Sequence, residues 1–254
     1  MKMAGQLSPA YFLYQSLWQA LDWLFPPTCG GCSQTGVTWC AACQNQVVRI
    51  AQPVCPRCGD PRPENDGPCP DCLAHPPEYE QLRSFAVFQG PLREALHRRP
   101  YHGDIGLGRP LSKHLIEYYN DLKWDIDLVA PVPLSKKRMR ERGYNQSGAL
   151  GRPLAYAIQK PFETGALQRT RNTQSQVGLS AANRQKNVED AFSAKREKVQ
   201  GKVILVIDDV STTGSTINAC ARALRLAGAS AVYGLTLARS VLQADADDQP
   251  KPLI

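Results

Sequence analysis

The chain has 254 residues, 43% of them apolar and 21% charged, with a formal net charge of +7 and a pI near 9.0. That length buries one good core and a smaller appendage, and the composition excludes a protein that is disordered or membrane-embedded as a whole. The positive balance favours phosphorylated ligands or nucleic acid over acidic partners.

Residues 1–27 read as an amphipathic helix. Leu13, Leu17, Leu21 and Leu24 fall on one helical face with Trp18 and Phe25 nearby, and Pro26 and Pro27 end it. Gln15, Ser16, Gln19 and Asp22 interrupt the apolar run too often for a signal-peptide core or a membrane span. The face is expected to dock on the protein itself.

Eight of the nine cysteines come next, as four CxxC pairs in a small domain expected over residues 28–78. Cys29, Cys32, Cys40 and Cys43 enclose a seven-residue insert; Cys55, Cys58, Cys69 and Cys72 enclose a ten-residue one. Each set can bring four thiolates to a tetrahedral Zn2+, and a segment this small needs metal to stay folded. The spacing predicts two structural zinc ribbons in series, each with ligands adjacent in sequence; interleaved pairing satisfies the same spacing. Cysteines written entirely as metal knuckles place the chain in the reducing cytoplasm.

Residues 79–240 alternate apolar strands with helical spacing, which predicts an α/β domain: a central, mainly parallel sheet flanked by helices. A strand is expected at 85–88 and a helix from Pro91, followed by the basic cluster His97, Arg98, Arg99 with Tyr101-His102-Gly103. A helix over 107–119 leads to a buried strand at 127–131. Ser135, Lys136, Lys137, Arg138, Arg140 and Arg142 follow, then Gly143-Tyr144-Asn145-Gln146 and a helix over 147–159. Such a run of bases is commonly a solvated face, but at the end of a core strand it marks an anion site. The polar stretch from Arg169 and Arg171 to Phe192 reads as a functional loop. Strands at 203–207 and 231–237 flank a helix over 217–227, and the tail 241–254 is expected to be disordered.

The most informative stretch is KVILVIDDVSTTGST, residues 202–216. Unalternating apolar residues predict a buried parallel strand. It ends in Asp208 and Asp209, and the bend Val210, Ser211, Thr212, Thr213, Gly214, Ser215, Thr216 opens a helix. Small residues there let backbone N–H groups close on a phosphate at the helix N-terminus. Acids beside a phosphate suit the vicinal hydroxyls of a ribose, or Mg2+ held among them. The bland alternative is an ordinary helix cap.

This stretch resembles the signature of the phosphoribosyltransferases. The resemblance implies that Asp208 and Asp209 hold the ribose hydroxyls of phosphoribosyl pyrophosphate (PRPP) and that Val210 to Thr216 hold its 5-phosphate. Together with LDWLFPPxCxxC, the paired knuckles, PVPLSxxRxRxRGYNQ and RxRxTxxQxxL, it makes the chain similar to the ComF/GntX family, across roughly residues 17–238. That likeness implies a double zinc ribbon joined to a type I phosphoribosyltransferase domain, and a role in taking up single-stranded DNA in natural transformation. It further implies a pyrophosphate loop over 134–140 and a hood over 169–184, with Mg2+ accompanying PRPP. Family members tend to carry a lysine where this chain has Pro100. Three functions are open from sequence: a Mg2+-dependent transferase acting on an unidentified acceptor, a nucleic-acid-handling module that senses PRPP, and ribbons that dock a partner of the uptake machinery.

Overall fold

A computed structural model describes residues 26–64, 67–97, 107–170 and 191–241. The N-terminal helix, Arg98 to Gly103, most of the polar loop including Arg171, and nearly all of the tail lie outside the described residues.

Four parallel strands form the sheet: β1 (Gln81–Val87), β2 (Leu128–Pro131), and, after the short hairpin β3 (Leu167–Arg169) and β4 (Phe192–Ala194), β5 (Val203–Ser211) and β6 (Ala231–Arg239). Their order is β1-β6-β5-β2. Two-sided burial explains the missing alternation in β5. Leu205 and Ile207 pack on one face with Leu111, Leu115, Leu150 and Leu154, whereas Ile204 and Val206 pack on the other with Ile217, Leu224 and Leu82. Each such side chain contributes about 1.5–3 kcal/mol by leaving water.

The expected strand over 203–207 runs on through the acids to Ser211, because Asp208 and Val210 continue the register opposite Thr236 and Ala238 of β6. The helices of the first face are α3 (Gly90–His97), α4 (Gly108–Leu122) and α6 (Gln146–Ala157), and α8 (Ser215–Leu226) covers the second. Short helices α1 (Ala41–Asn45) and α2 (Pro70–Ala74) belong to the cysteine knuckles, and α7 (Arg196–Val199) precedes β5.

The stretch 134–140, expected to hold pyrophosphate, is for the most part helical. Its basic residues form a helix, α5 (Lys136–Arg142), in which the Ser135 hydroxyl caps the Arg138 amide and Gly143 closes the end in the left-handed region. A local cap and a C-terminal glycine override the loop expectation.

The cysteine module clamps the sheet rather than hanging from it. Residues 48–50 run antiparallel to β1, with Ile50 N–H donating to Phe85 O at 3.2 Å and Val87 N–H to Val48 O at 2.8 Å. They cover an edge that would otherwise offer unpaired backbone groups. Leu82 N–H donates to Arg57 O of the second knuckle. Gly59 sits at φ 71°, and a Cβ there would lie 2.5 Å from Leu82 O, so only glycine permits this approach.

Candidate functional site

The thiols gather in two sets, Cys29/Cys32/Cys40/Cys43 and Cys55/Cys58/Cys69/Cys72, with the sulfurs of each set within 4.8 Å of one another. Pairing is therefore sequential, not interleaved. Cys29–Cys43, Cys32–Cys40 and Cys58–Cys69 sulfurs stand 3.6, 3.7 and 3.7 Å apart, near the roughly 3.8 Å edge of a tetrahedron with Zn–S bonds of about 2.3 Å. Backbone N–H groups of Cys40 and Cys69 donate to the sulfurs of Cys29 and Cys55. Burial opposes ionisation of these two thiols, but such amide bonds outweigh it and hold both below the usual thiol range. Burial, reinforced by neighbouring sulfurs, pushes Cys43 and Cys72 well above it. Thiols so arranged fit a divalent cation that lets all four ionise together.

At the far end of β5, the two acids fold back on the chain. Ser147, buried at the start of α6, donates its hydroxyl to Asp208 Oδ1 at 2.8 Å, and the Asp209 amide donates to the same oxygen at 3.0 Å. Val210 N–H donates to Asp209 Oδ1 at 2.9 Å. Burial and the adjacent Asp209 charge push the Asp208 carboxyl well above the usual range, although the Ser147 bond favours its ionised form. A carboxyl in that state gains from any cation or hydroxyl donor brought beside it.

The bend then turns into α8. Gly214, at φ 80°, occupies the N-cap, and the Ser215 N–H donates to Thr213 Oγ1 at 3.4 Å. A Cβ on Gly214 would lie 3.0 Å from both Tyr79 Oη and Leu82 Cδ2. The Ser211 hydroxyl is buried and has no hydrogen-bond partner among the described residues. An orphaned hydroxyl beside a helix N-terminus fits an anion that supplies the missing partner.

A pocket of about 420 Å³ brings Asp208, Asp209 and Val210, Ser211, Thr212, Gly214, Ser215 and Thr216 together with Phe88, Arg93, His97 and Arg142. Of the described side chains of the basic run, Arg142 alone lines it. Lys137 instead pairs with Glu141 at 3.9 Å on an exposed face, Arg140 is exposed, and Ser135 spends its hydroxyl on the α5 cap. Thr213 lies on the opposite side of the bend. Arg169, on β3, stacks on Phe192 at 5.2 Å. Burial and the nearby Arg138 charge lower its pKa, while Cys220 and Asp208 pull the other way.

Ser147, Phe88 and Arg93 were not legible as site residues. Ser147 follows the GYNQ stretch directly, and that was the available signal.

The chain is 33% identical over 207 residues to the DNA utilization protein YhgH of Escherichia coli, a match that spans 80% of this chain and 90% of the relative. It belongs to the ComF/GntX family. The Competence protein F of Haemophilus influenzae is 32% identical over 79% of this chain and 90% of its own length. The Competence protein ComFC of Bacillus subtilis is 28% identical over 79% and 84%. Residues 20–73 match the double zinc ribbon domain family and residues 149–250 the phosphoribosyl transferase domain family. The first of these ComF/GntX domains contains all eight knuckle cysteines, and the second contains the acid pair and the bend. No helix among the described residues is long and apolar enough to cross a membrane.

Proposed function

We propose that the chain binds PRPP and transfers its phosphoribosyl group to a nitrogen acceptor, in the cytoplasmic handling of incoming DNA. One observation carries this reading: the acid pair and most of the bend share a single pocket with Arg93 of α3 and Arg142 of α5. Asp208 and Asp209 take the ribose hydroxyls, and the bend from Val210 to Thr216 takes the 5-phosphate. Arg142, with Arg138, Arg169 and Arg171 from the basic helix and hood, faces the pyrophosphate. Lys136, Lys137 and Arg140 are kept as supporting charges only. Residues 28–78 form the ribbon domain in this assignment and 79–240 the transferase-like domain.

The reaction forms a bond from the acceptor nitrogen to C1 of the ribose and breaks the bond from C1 to pyrophosphate oxygen. The electron pair departs on pyrophosphate, and the nitrogen's proton passes to solvent or pyrophosphate. Guanidinium groups stabilise the charge that grows on the leaving group. Mg2+, when bound by the acid pair, supplies further neutralisation of that charge. Isothermal titration with PRPP and Mg2+ tests the reading: wild type binds and Asp208→Asn does not. Absent binding to wild type would sink it, and pyrophosphate release with candidate acceptors tests turnover.

A second reading has a specific observation behind it. The net charge of +7 and relatives whose names refer to competence and DNA utilization favour direct binding of single-stranded DNA, with PRPP sensed rather than consumed. Filter binding at two salt concentrations checks this; affinity that falls with salt is expected, and no retention at low salt discards it.

A further inference from the structure

Gly143-Tyr144-Asn145-Gln146 carries the chain from α5 into α6, and three consecutive side chains at its end each hold a different neighbour. Asn145 Nδ2 donates to the Val132 carbonyl at 2.9 Å, just beyond β2. Ser147 holds Asp208. Between them, Gln146 serves the cationic side of the pocket: Arg142 Nη1 donates to its Oε1, and its Nε2 donates to the Leu96 carbonyl of α3 at 3.3 Å. We propose that Gln146 is a positioning residue, which holds the Arg142 guanidinium in the acid pocket ready for the anionic part of the ligand.

Placement comes first. Gln146 is 8% exposed, and a buried amide needs partners for both of its ends. It finds them on two separate helices whose ends line the same pocket, Leu96 and His97 on α3 and Arg142 on α5. Arg142 is the last residue of α5, directly before Gly143 at φ 75°, so its own helix supplies no following turn to hold the side chain. The preceding turn supplies Arg138, a like charge that repels it. The tether therefore has to come from α6.

Charge explains why the tether is an amide. Among the described residues Arg142 makes no ion pair, in contrast to Lys137, which pairs with Glu141. A neutral acceptor orients a guanidinium without cancelling it, and the full positive charge stays available to an incoming anion. Asp208 and Asp209 line the same pocket, and an untethered arginine would be drawn onto them. Fixing the side chain during folding also removes an ordering cost from binding, which is large for arginine. That the anion is a pyrophosphate group rests on the transfer reading; the tether itself does not.

The zinc-loaded full chain and its Gln146→Met, Arg142→Ala and double variants are titrated calorimetrically with inorganic pyrophosphate and with PRPP, each with Mg2+. Gln146→Met keeps the length of the side chain while removing both hydrogen bonds, and is expected to weaken binding of both anions about tenfold. In the Arg142→Ala background the same change is expected to cost less than about twofold more, because the residue it positions is gone. A role in folding alone would give equal losses in the two backgrounds. Gln146→Glu keeps the acceptor but neutralises the guanidinium, and is expected to weaken binding at least as much; it decides the matter if circular dichroism shows the methionine variant unfolded. Unchanged affinity in the folded variant, or losses that add in the double variant, overturn the proposal and leave the transfer reading standing. Pyrophosphate binding that depends on Gln146, in a chain that ignores PRPP, retires the transfer reading and keeps the positioning role. A wild-type chain that binds neither anion overturns both.

Discussion

Arg239, the last residue of β6, donates from Nη2 and Nε to Asp60 Oδ1 at 2.9 and 3.2 Å and from Nη1 to the Cys58 carbonyl at 2.9 Å. It is 4% exposed. The guanidinium thus fastens the second knuckle to the end of the sheet beside the bend. Arg239→Ala would leave Asp60 and a knuckle carbonyl without their donor. Breaking a fully buried pair costs about 3–5 kcal/mol, and because Asp60 remains half-exposed the expected loss is about 2 kcal/mol in urea denaturation. Asp60→Asn should cost less, and the double variant should fall short of the sum.

Ser147 holds Asp208 through its hydroxyl, at 2.8 Å. Removing one net hydrogen bond to a charged group is worth about 1.5–3 kcal/mol. Ser147→Ala should therefore weaken PRPP binding by roughly tenfold or more, measured by titration calorimetry. Ser147→Thr retains the hydroxyl and should recover part of that loss. An unchanged affinity in the alanine variant would remove Ser147 from the site.

Native mass spectrometry should show two zinc ions per chain. All four ligands of the second set are buried, whereas Cys32 of the first is exposed. A chelating indicator should therefore strip the first site faster, giving biphasic release. Cys55→Ser should retain one ion and lower the melting temperature, because the second ribbon donates structure to β1. Equal release rates would contradict the burial difference.

His114 on α4 gives a pH dependence. Its ring stacks on Phe85 at 4.8 Å, and its Nε2 lies 2.7 Å from Gln44 Oε1 in the first ribbon, which also accepts from Trp39 Nε1. Burial lowers its pKa from the ordinary value. The unfolded chain therefore takes up the proton first as pH falls. The contribution is complete above about 6.5 and is lost as pH drops toward the lower folded-state value. Thermal melts should weaken across that window, and His114→Gln should flatten the slope; an identical slope in the variant would assign the effect to thiolate protonation instead.

The knuckles, the acid pair and the bend were legible because their chemistry is local in sequence. Cysteine spacing alone announces four sulfurs, and Asp208-Asp209 sits at the end of an unbroken apolar run. The basic run was only half legible. Helical geometry in α5 turns Arg142 into the pocket and sends Lys137 outward to Glu141, a division that depends on the Ser135 cap and not on charge count. Arg93, Phe88 and Ser147 were illegible as a group, since the sheet order that gathers them follows from long-range pairing. The attachment of the second ribbon through Arg239 joins residues 179 apart, and no local pattern carries that.

That order of pairing has a consequence for how the chain is made. β1 lies beside β6, with Gln81 opposite Tyr233, so the nascent polypeptide holds β1 without this in-sheet neighbour until about 150 further residues have been made. Contacts of such separation close slowly. During that wait, residues 48–50 and the metal-loaded knuckles are the partners already synthesised. The ribbons therefore act as a built-in escort for β1, and a cell short of zinc would lose this protein by aggregation or proteolysis during synthesis before it lost any activity of the finished fold.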